Sequence, residues 1–226
     1  MTCIDFCVRM QLQSPGRHFE LDVSLQTAVR RVVVFGESGA GKSLTLRAIA
    51  GLLRPDSGWI RVDGETLFDS TRGIDLPPQN RRMGYVFQDY ALFPHLTVRQ
   101  NIAFSLAAGL FNPGRRSRSA AVEHWVDRLN LGAVGDQYPR DISGGQRQRT
   151  AVARALVAQP RALLLDEPFA ALDHANRQAT REGLEHLLDT LGIPVVLITH
   201  DPEDVNRFGG EVLRLRDGRR LTSDPG

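Results

Sequence analysis

The sequence predicts an α/β fold: a sheet of buried parallel strands, an antiparallel β portion and an inserted helical segment. Three observations carry this. Four apolar runs, Val32-Val33-Val34-Phe35, Tyr85-Val86-Phe87, Leu163-Leu164-Leu165 and Val195-Val196-Leu197-Ile198, are continuous rather than alternating, as in strands covered on both faces. A glycine-rich stretch, Gly36-Glu37-Ser38-Gly39-Ala40-Gly41-Lys42-Ser43, follows the first run directly and leads into a helical pattern. A second one, Ile142-Ser143-Gly144-Gly145-Gln146, stands shortly before the third run, which ends in Asp166-Glu167.

The remaining elements follow in order. Ile4, Phe6, Val8, Met10 and Leu12 alternate as one strand, ending near the turn signal Ser14-Pro15-Gly16. Cys3 and Cys7 fall on its other face and are expected to be surface thiols; one Cys-x3-Cys supports neither a metal site nor a disulfide. Phe19, Leu21, Val23 and Leu25 form the facing strand. After the glycine loop, Leu46, Ile49, Ala50 and Leu53 repeat at helical spacing until Pro55. Trp59 to Val62 with Asp63-Gly64 predicts a hairpin. From Asp89 onward the pattern turns helical, so residues 1–88 and 160–226 are expected to form the core and about 89–159 an inserted helical subdomain. The basic run Asn112 to Arg118 reads as a solvated loop rather than an RNA contact. Val212 to Arg220, turning at Asp217-Gly218, predicts a closing hairpin.

Composition narrows the function classes. The chain of 226 residues has a net charge of +2, too small to argue for nucleic acid. No apolar run approaches the ~20 residues of a membrane helix. The strand-like start with Asp5 is unlike a signal peptide, and a cytoplasmic chain is expected.

The chemistry lies at strand ends. Glycines let backbone N–H groups turn around phosphate oxygens. Lys42 is placed to reach β- and γ-phosphates, the Ser43 hydroxyl suits Mg²⁺, and the following helix adds its positive end. Asp166 ends an apolar strand, where it suits Mg²⁺. Glu167 beside it repels it unless a cation offsets the charge, and is then free to act as general base; the plainer alternative is that one acid caps a helix. Ser143 is a natural N-cap. Two glycines in a first turn cost on the order of 1 kcal/mol each relative to alanine. They suit a backbone that approaches a phosphate, or simply a glycine turn.

Taken together, Gly36 to Ser43, Gln88, Ile142 to Gln146, Leu163 to Glu167, Ala171-Leu172-Asp173 and His200 resemble the ordered motifs of ATP-binding cassette (ABC) ATPases. The resemblance covers nearly the whole chain; Ile142 replaces the usual leucine. It implies a P-loop NTPase (RecA-like) core with an antiparallel β subdomain and an inserted α-helical subdomain. It also implies ATP and Mg²⁺, and a head-to-tail dimer of two copies around each nucleotide. Gly36, Glu37, Ser38, Gly39, Ala40, Gly41, Lys42, Ser43 and Leu44 would bind nucleotide in one copy. Ser143, Gly144, Gly145 and Gln146 would bind it from the other, with Asp173 at the interface. Ser43, Gln88 and Asp166 would hold the metal; Glu167, His200 and Gln88 would be catalytic. Phe19 is the candidate for stacking on adenine, and it fits the core face of its strand equally well.

Arg81 to Val98 resembles the ATPases of bacterial importers, and Gly73-Ile74-Asp75-Leu76-Pro77-Pro78 resembles their molybdate group. The implied partners are membrane permease subunits, docking near Gln88 and Tyr90 to Phe93, and indirectly a solute-binding protein, with no nucleic acid. Tyr90, Leu92 and Phe93 either line that groove or pack between subdomains. The implied location is the cytoplasmic face of the membrane. Since Gly226 follows the closing hairpin, the expectation is either a subunit with no C-terminal regulatory domain or a truncated chain. Importers of sulfate, sugars, polyamines or iron, an exporter, and a soluble ABC ATPase acting on DNA or the ribosome are the alternatives. The chain has no long coiled-coil insertion and no second cassette, which weighs against the last.

Overall fold

The continuous apolar runs become four adjacent strands at one side of an eleven-stranded sheet. The computed structural model describes residues 2–14, 17–106, 112–114, 119–172 and 174–221. β1 (Ile4–Ser14) and β2 (Arg17–Thr27) are followed by β3 (Arg31–Phe35) and α1 (Lys42–Ala50). β4 (Ser57–Val62), β5 (Glu65–Asp69), β6 (Ile74–Asp75), the short α2 (Pro78–Arg81) and β7 (Met83–Val86) come next. α3 (Val98–Ala103), α4 (Ala120–Arg128) and α5 (Gly144–Leu156) lie between β7 and β8 (Ala162–Asp166). α6 (His174–Thr190), β9 (Val195–Thr199), α7 (Pro202–Phe208), β10 (Glu211–Arg216) and β11 (Arg219–Arg220) complete the chain. The strand order is β6-β5-β4-β1-β2-β11-β10-β3-β9-β8-β7. β10, β3, β9, β8 and β7 are mutually parallel, and β1, β2, β4, β5 and β6 pair antiparallel.

β3, β8 and β9 each feed two cores, which explains why their runs are unbroken. Val33, Leu163, Leu165 and Leu197 pack with residues of α3 to α6. Their neighbours Val32, Val34, Leu164, Val196 and Ile198 pack with α1 and the antiparallel strands. The two hairpins at Asp63-Gly64 and Asp217-Gly218 form as expected. Pro15, Gly16 and the basic residues Arg115 to Arg118 lie outside the described residues.

The cysteines are a correction. Both Cys3 and Cys7 are buried. β1 lies between β2 and β4, so Cys7 faces Ser24 on one side and Trp59 on the other. Cys3, just before β1, packs within the aliphatic core itself, while Cys7, on the face away from it, is covered by the neighbouring strands. Burial pushes the Cys7 thiol pKa up, which disfavours the reactive thiolate.

Arg81 is the unexpected polar group of this fold, 1% exposed. Its guanidinium donates to the carbonyls of Ala48 (2.7 Å) and Ile49 (3.1 Å) at the end of α1, to Leu76 O (2.7 Å) and to Asp75 (3.1 Å). It thus satisfies carbonyls that a helix end leaves without partners, at the negative end of the dipole. Gly51 caps α1 at φ 79°, and a Cβ there would lie 2.6 Å from Arg81 Nε. Glycine is required for both reasons. Arg81→Met is expected to lower stability by about 3 kcal/mol, because buried carbonyls lose their donors. Urea unfolding at neutral pH measures this.

Candidate functional site

The parallel strands deliver the predicted groups to their carboxyl ends, as open α/β sheets do. The loop after β3 turns into α1 through Gly41 at φ 97°, and a Cβ there would approach Leu21 to 2.6 Å. Lys42 opens α1 and is 4% exposed. Its ammonium donates to Gly36 O (2.8 Å) and Glu37 O (3.0 Å), and lies 3.4 Å from Glu167 Oε1. Ser43 Oγ donates to Asp166 Oδ1 at 3.0 Å, joining α1 to the end of β8. Glu167 sits at φ 44°, unusual for a residue with a side chain, with its N–H on Ile198 O at 3.1 Å. Its Oε2 is 3.1 Å from His200 Nδ1, at the end of β9.

These residues surround a cavity of about 600 Å³ lined by Gly36, Glu37, Ser38, Gly39, Gly41, Lys42, Ser43, Leu44, Gln88, Glu167 and His200. Ala40 lines an adjoining cavity with Phe19 and the turn at Asp217. Phe19 is half-buried against the core, and it also lines the cavity beside the loop. Ser143, Gly144, Gly145 and Gln146 stand elsewhere. Ser143 caps α5, its Oγ accepting from Gln146 N–H at 3.3 Å while Gln146 Oε1 accepts from Ser143 N–H at 2.8 Å. The cap reading is therefore correct as local structure. The glycines also have an internal reason: a Cβ on Gly144 would meet Leu172 at 2.9 Å, and one on Gly145 would meet Thr180 at 3.2 Å. Asp173 lies outside the described residues.

Two further sets of residues escaped sequence reading. The Tyr85 phenol donates to Asp166 Oδ2 at 2.9 Å, and burial with the nearby carboxylate pushes its pKa well up, so it stays a donor. Arg181 of α6 donates to Asp201 (2.5 Å), Glu203 (2.5 Å) and Asp204 (2.7 Å), while Thr199 donates to Asp204 at 2.6 Å. This network clamps the residues on both sides of His200. Of the two readings of Tyr90, packing holds and groove lining does not: at 2% exposed, with its hydroxyl donating to Pro168 O at 3.3 Å, it lies inside. Leu92 and Phe93 stay partly exposed, and the Phe93 ring lies tilted against Phe104, centroids 4.3 Å apart. No helix among the described residues is long and apolar enough to cross a membrane.

A family model described as ABC transporter matches residues 20–170. The chain belongs to the ABC transporter family. Among its relatives, the molybdenum import ATP-binding protein ModC of Rhizobium johnstonii is 40% identical over 92% of this chain and 57% of its own length. That of Thiobacillus denitrificans is 43% identical over 96% of this chain and 58% of its own length. The ABC chain described here thus spans a little over half the length of these curated relatives. A solved dimeric structure of the ATP-binding cassette MJ0796, in a post-hydrolysis state with ADP and Pi, matches over 97% of both chains at 28% identity and a TM-score of 0.76. The fold of this ABC chain is accordingly the α/β P-loop NTPase core.

Asp204 gives the site a pH signature. Burial raises its carboxyl pKa against the hydrogen bonds of Thr199 and Arg181. Burial also works against Asp201, but the Glu203 N–H and Arg181 together hold it below its ordinary 3.8. Arg181→Met leaves Asp204 buried without its cation, with only the Thr199 hydroxyl to support it, at an expected cost of about 3–5 kcal/mol at pH 7. A carboxyl with a raised folded pKa destabilises the fold above that pKa, and the penalty fades as pH falls through it. Asp201 supplies stability above 3.8 in the wild type and loses it as pH falls through its lowered folded pKa. The stability gap between wild type and variant therefore narrows on acidification. Urea unfolding between neutral and acid pH measures it, and a constant gap would refute the assignment.

Proposed function

We propose that this chain is the ATP-hydrolysing subunit of an ABC importer, acting as a head-to-tail dimer. One observation carries the reading. Lys42, Ser43, Asp166, Glu167 and His200 converge at one sheet edge, while Ser143 to Gln146 open a helix that does not line that cavity. Each chain then holds two halves of a nucleotide site, and a second copy supplies the complement. Lys42 exchanges its carbonyl partners for the β- and γ-phosphates. Glu167 orients the attacking water and accepts its proton, and His200 keeps that carboxylate and the γ-phosphate in register. Ser143 and Gly145 of the other copy meet the γ-phosphate with an N–H-rich helix start.

Hydroxyl, carboxylate and amide oxygens are hard donors, so Ser43, Asp166 and Gln88 suit Mg²⁺, which would neutralise phosphate charge there. Tyr85 keeps Asp166 oriented. Asp173 is assigned to the subunit interface and Phe19 to the adenine. Residues 1–88 and 160–226 are read as the catalytic core, with 89–159 as the helical part.

The importer reading rests on the Arg81 to Val98 stretch and on the names of the relatives, which point to molybdate as the solute class. Leu92 and Phe93, with the exposed Phe104 and Leu106, offer an apolar surface for the permease. The chain would then sit peripherally on the cytoplasmic face of the membrane, with a solute-binding protein as indirect partner.

Glu167→Gln is expected to bind ATP–Mg²⁺ and elute as a dimer in gel filtration, with turnover lower by about 10²-fold or more. A monomer with ordinary turnover would sink the mechanism. Tyr85→Phe is expected to weaken Mg²⁺ by about tenfold, read from a Mn²⁺ titration followed by electron paramagnetic resonance. Nucleotide affinity without metal should stay as in the wild type; a parallel loss of both would mean the phenol serves the fold instead.

A further inference from the structure

Behind the glycine-rich start of α5 lies a second cavity, of about 300 Å³, between α5, α6 and the end of α4. It is separate from the nucleotide cavity and at the small end of ordinary ligand sites. Gln148 lines it. This side chain is 1% exposed, and neither its amide nitrogen nor its amide oxygen has a hydrogen-bond partner. A buried amide left unpaired costs about 1–3 kcal/mol, and buried polar atoms without partners are rare in folded proteins.

Arg149, the next residue, lines the same cavity, and its Nε is also buried without a partner. Burial lowers its pKa with no acid to oppose it. Arg128 and His186 add further nitrogen groups, and Ser143 and Thr180 add hydroxyls. Among the described residues that line the cavity there is no Asp or Glu. Water can satisfy the Gln148 amide, whereas an anion would also offset the charge of the half-buried Arg149 guanidinium.

We propose that this cavity binds a small tetrahedral oxyanion through Gln148 and Arg149. A guanidinium and an amide can each donate to different oxygens of such an ion. The site depends only on the fold, so its failure would leave the nucleotide reading untouched. Because Ser143 and Gly145 form part of the same wall, an ion there sits against the residues that cap α5.

Thermal unfolding tests this, with phosphate and molybdate titrated separately at constant ionic strength against chloride. A saturable rise in Tm is expected from ligand linkage. The response should weaken by at least about tenfold in apparent Kd in Gln148→Leu and in Arg149→Met. Phosphate also has a place at the glycine loop, but that binding does not depend on these two residues, so the variant-sensitive part is the signal. Gln148→Leu should also raise Tm in oxyanion-free buffer, since it removes the unpaired amide. Response to phosphate alone would identify a product of hydrolysis as the ligand, and response to molybdate alone would identify the cargo oxyanion. The proposal is overturned if neither anion gives a saturable shift, or if both variants respond as the wild type does. It is also overturned if Gln148→Leu loses stability while its anion response is unchanged. Should Gln148→Leu fail to fold, Arg149→Met decides the matter alone.

Discussion

Lys42 carries a charge at the start of α1 with almost no contact with water. Removing an ammonium from solvent costs several kcal/mol unless partners replace the lost hydration. Its partners come from three places: Gly36 at the end of β3, Glu37 in the loop, and Glu167 after β8. One side chain therefore fixes the loop's shape, the start of α1 and the position of a strand end. Ser43 adds a second tie from α1 to Asp166. β8 and β9 must then stay in register, because Asp166 pairs with Ile198 and Glu167 N–H bonds Ile198 O. His200 follows two residues later. The geometry of the site is the consequence of satisfying one buried cation within a parallel sheet.

Glu167 bears part of the cost. A positive φ at a residue with a side chain is strained by about 1–3 kcal/mol, and such strain persists where surrounding structure determines it. Here the determinants are the Ile198 carbonyl, Lys42 and His200, and behind His200 the Arg181 network. The network is a ring of acids around one arginine, from three positions of the segment Asp201 to Asp204. It stiffens the chain on both sides of His200 without contacting the cavity chemistry directly.

Much of this was legible in the sequence because it is written locally. An apolar run and the polar residue ending it are neighbours in the chain, so Lys42, Asp166, Glu167 and His200 announce themselves. Arg81 and Arg181 do not. Each looks like an ordinary charged residue, and the partners that tie it across the fold are distant in the chain, as Ala48 is from Arg81 and Asp201 from Arg181. Tyr85 was read as part of an apolar strand, and only the pairing of β7 with β8 brings its hydroxyl to Asp166. Cys7 was misplaced because alternation assigns faces of one strand, not what neighbouring strands lay across them. Tyr90 packs inward for a backbone reason that its residue type does not announce: it and Ala91 both have positive φ, 64° and 43°.

That inward turn links the two halves of the molecule. Tyr90 N–H bonds Phe87 O, its hydroxyl reaches Pro168 just past Glu167, and Arg154 of α5 donates to the carbonyls of Tyr90 and Ala91, both at 2.7 Å. Arg154 also lies over the Phe93 ring at 5.7 Å. α5 begins at the cap of Ser143, so the segment after Gln88, the exposed apolar surface around Phe93 and the glycine-rich helix start share one set of contacts. On the proposed reading, a rearrangement at Gln88 that moves Tyr90 must also move α5 or break two hydrogen bonds to a half-buried guanidinium. Breaking bonds to a charged donor costs about 1.5–3 kcal/mol each, so concerted movement is the less costly course. The apolar surface and the second half-site then respond to the nucleotide cavity through packing already present in the isolated chain.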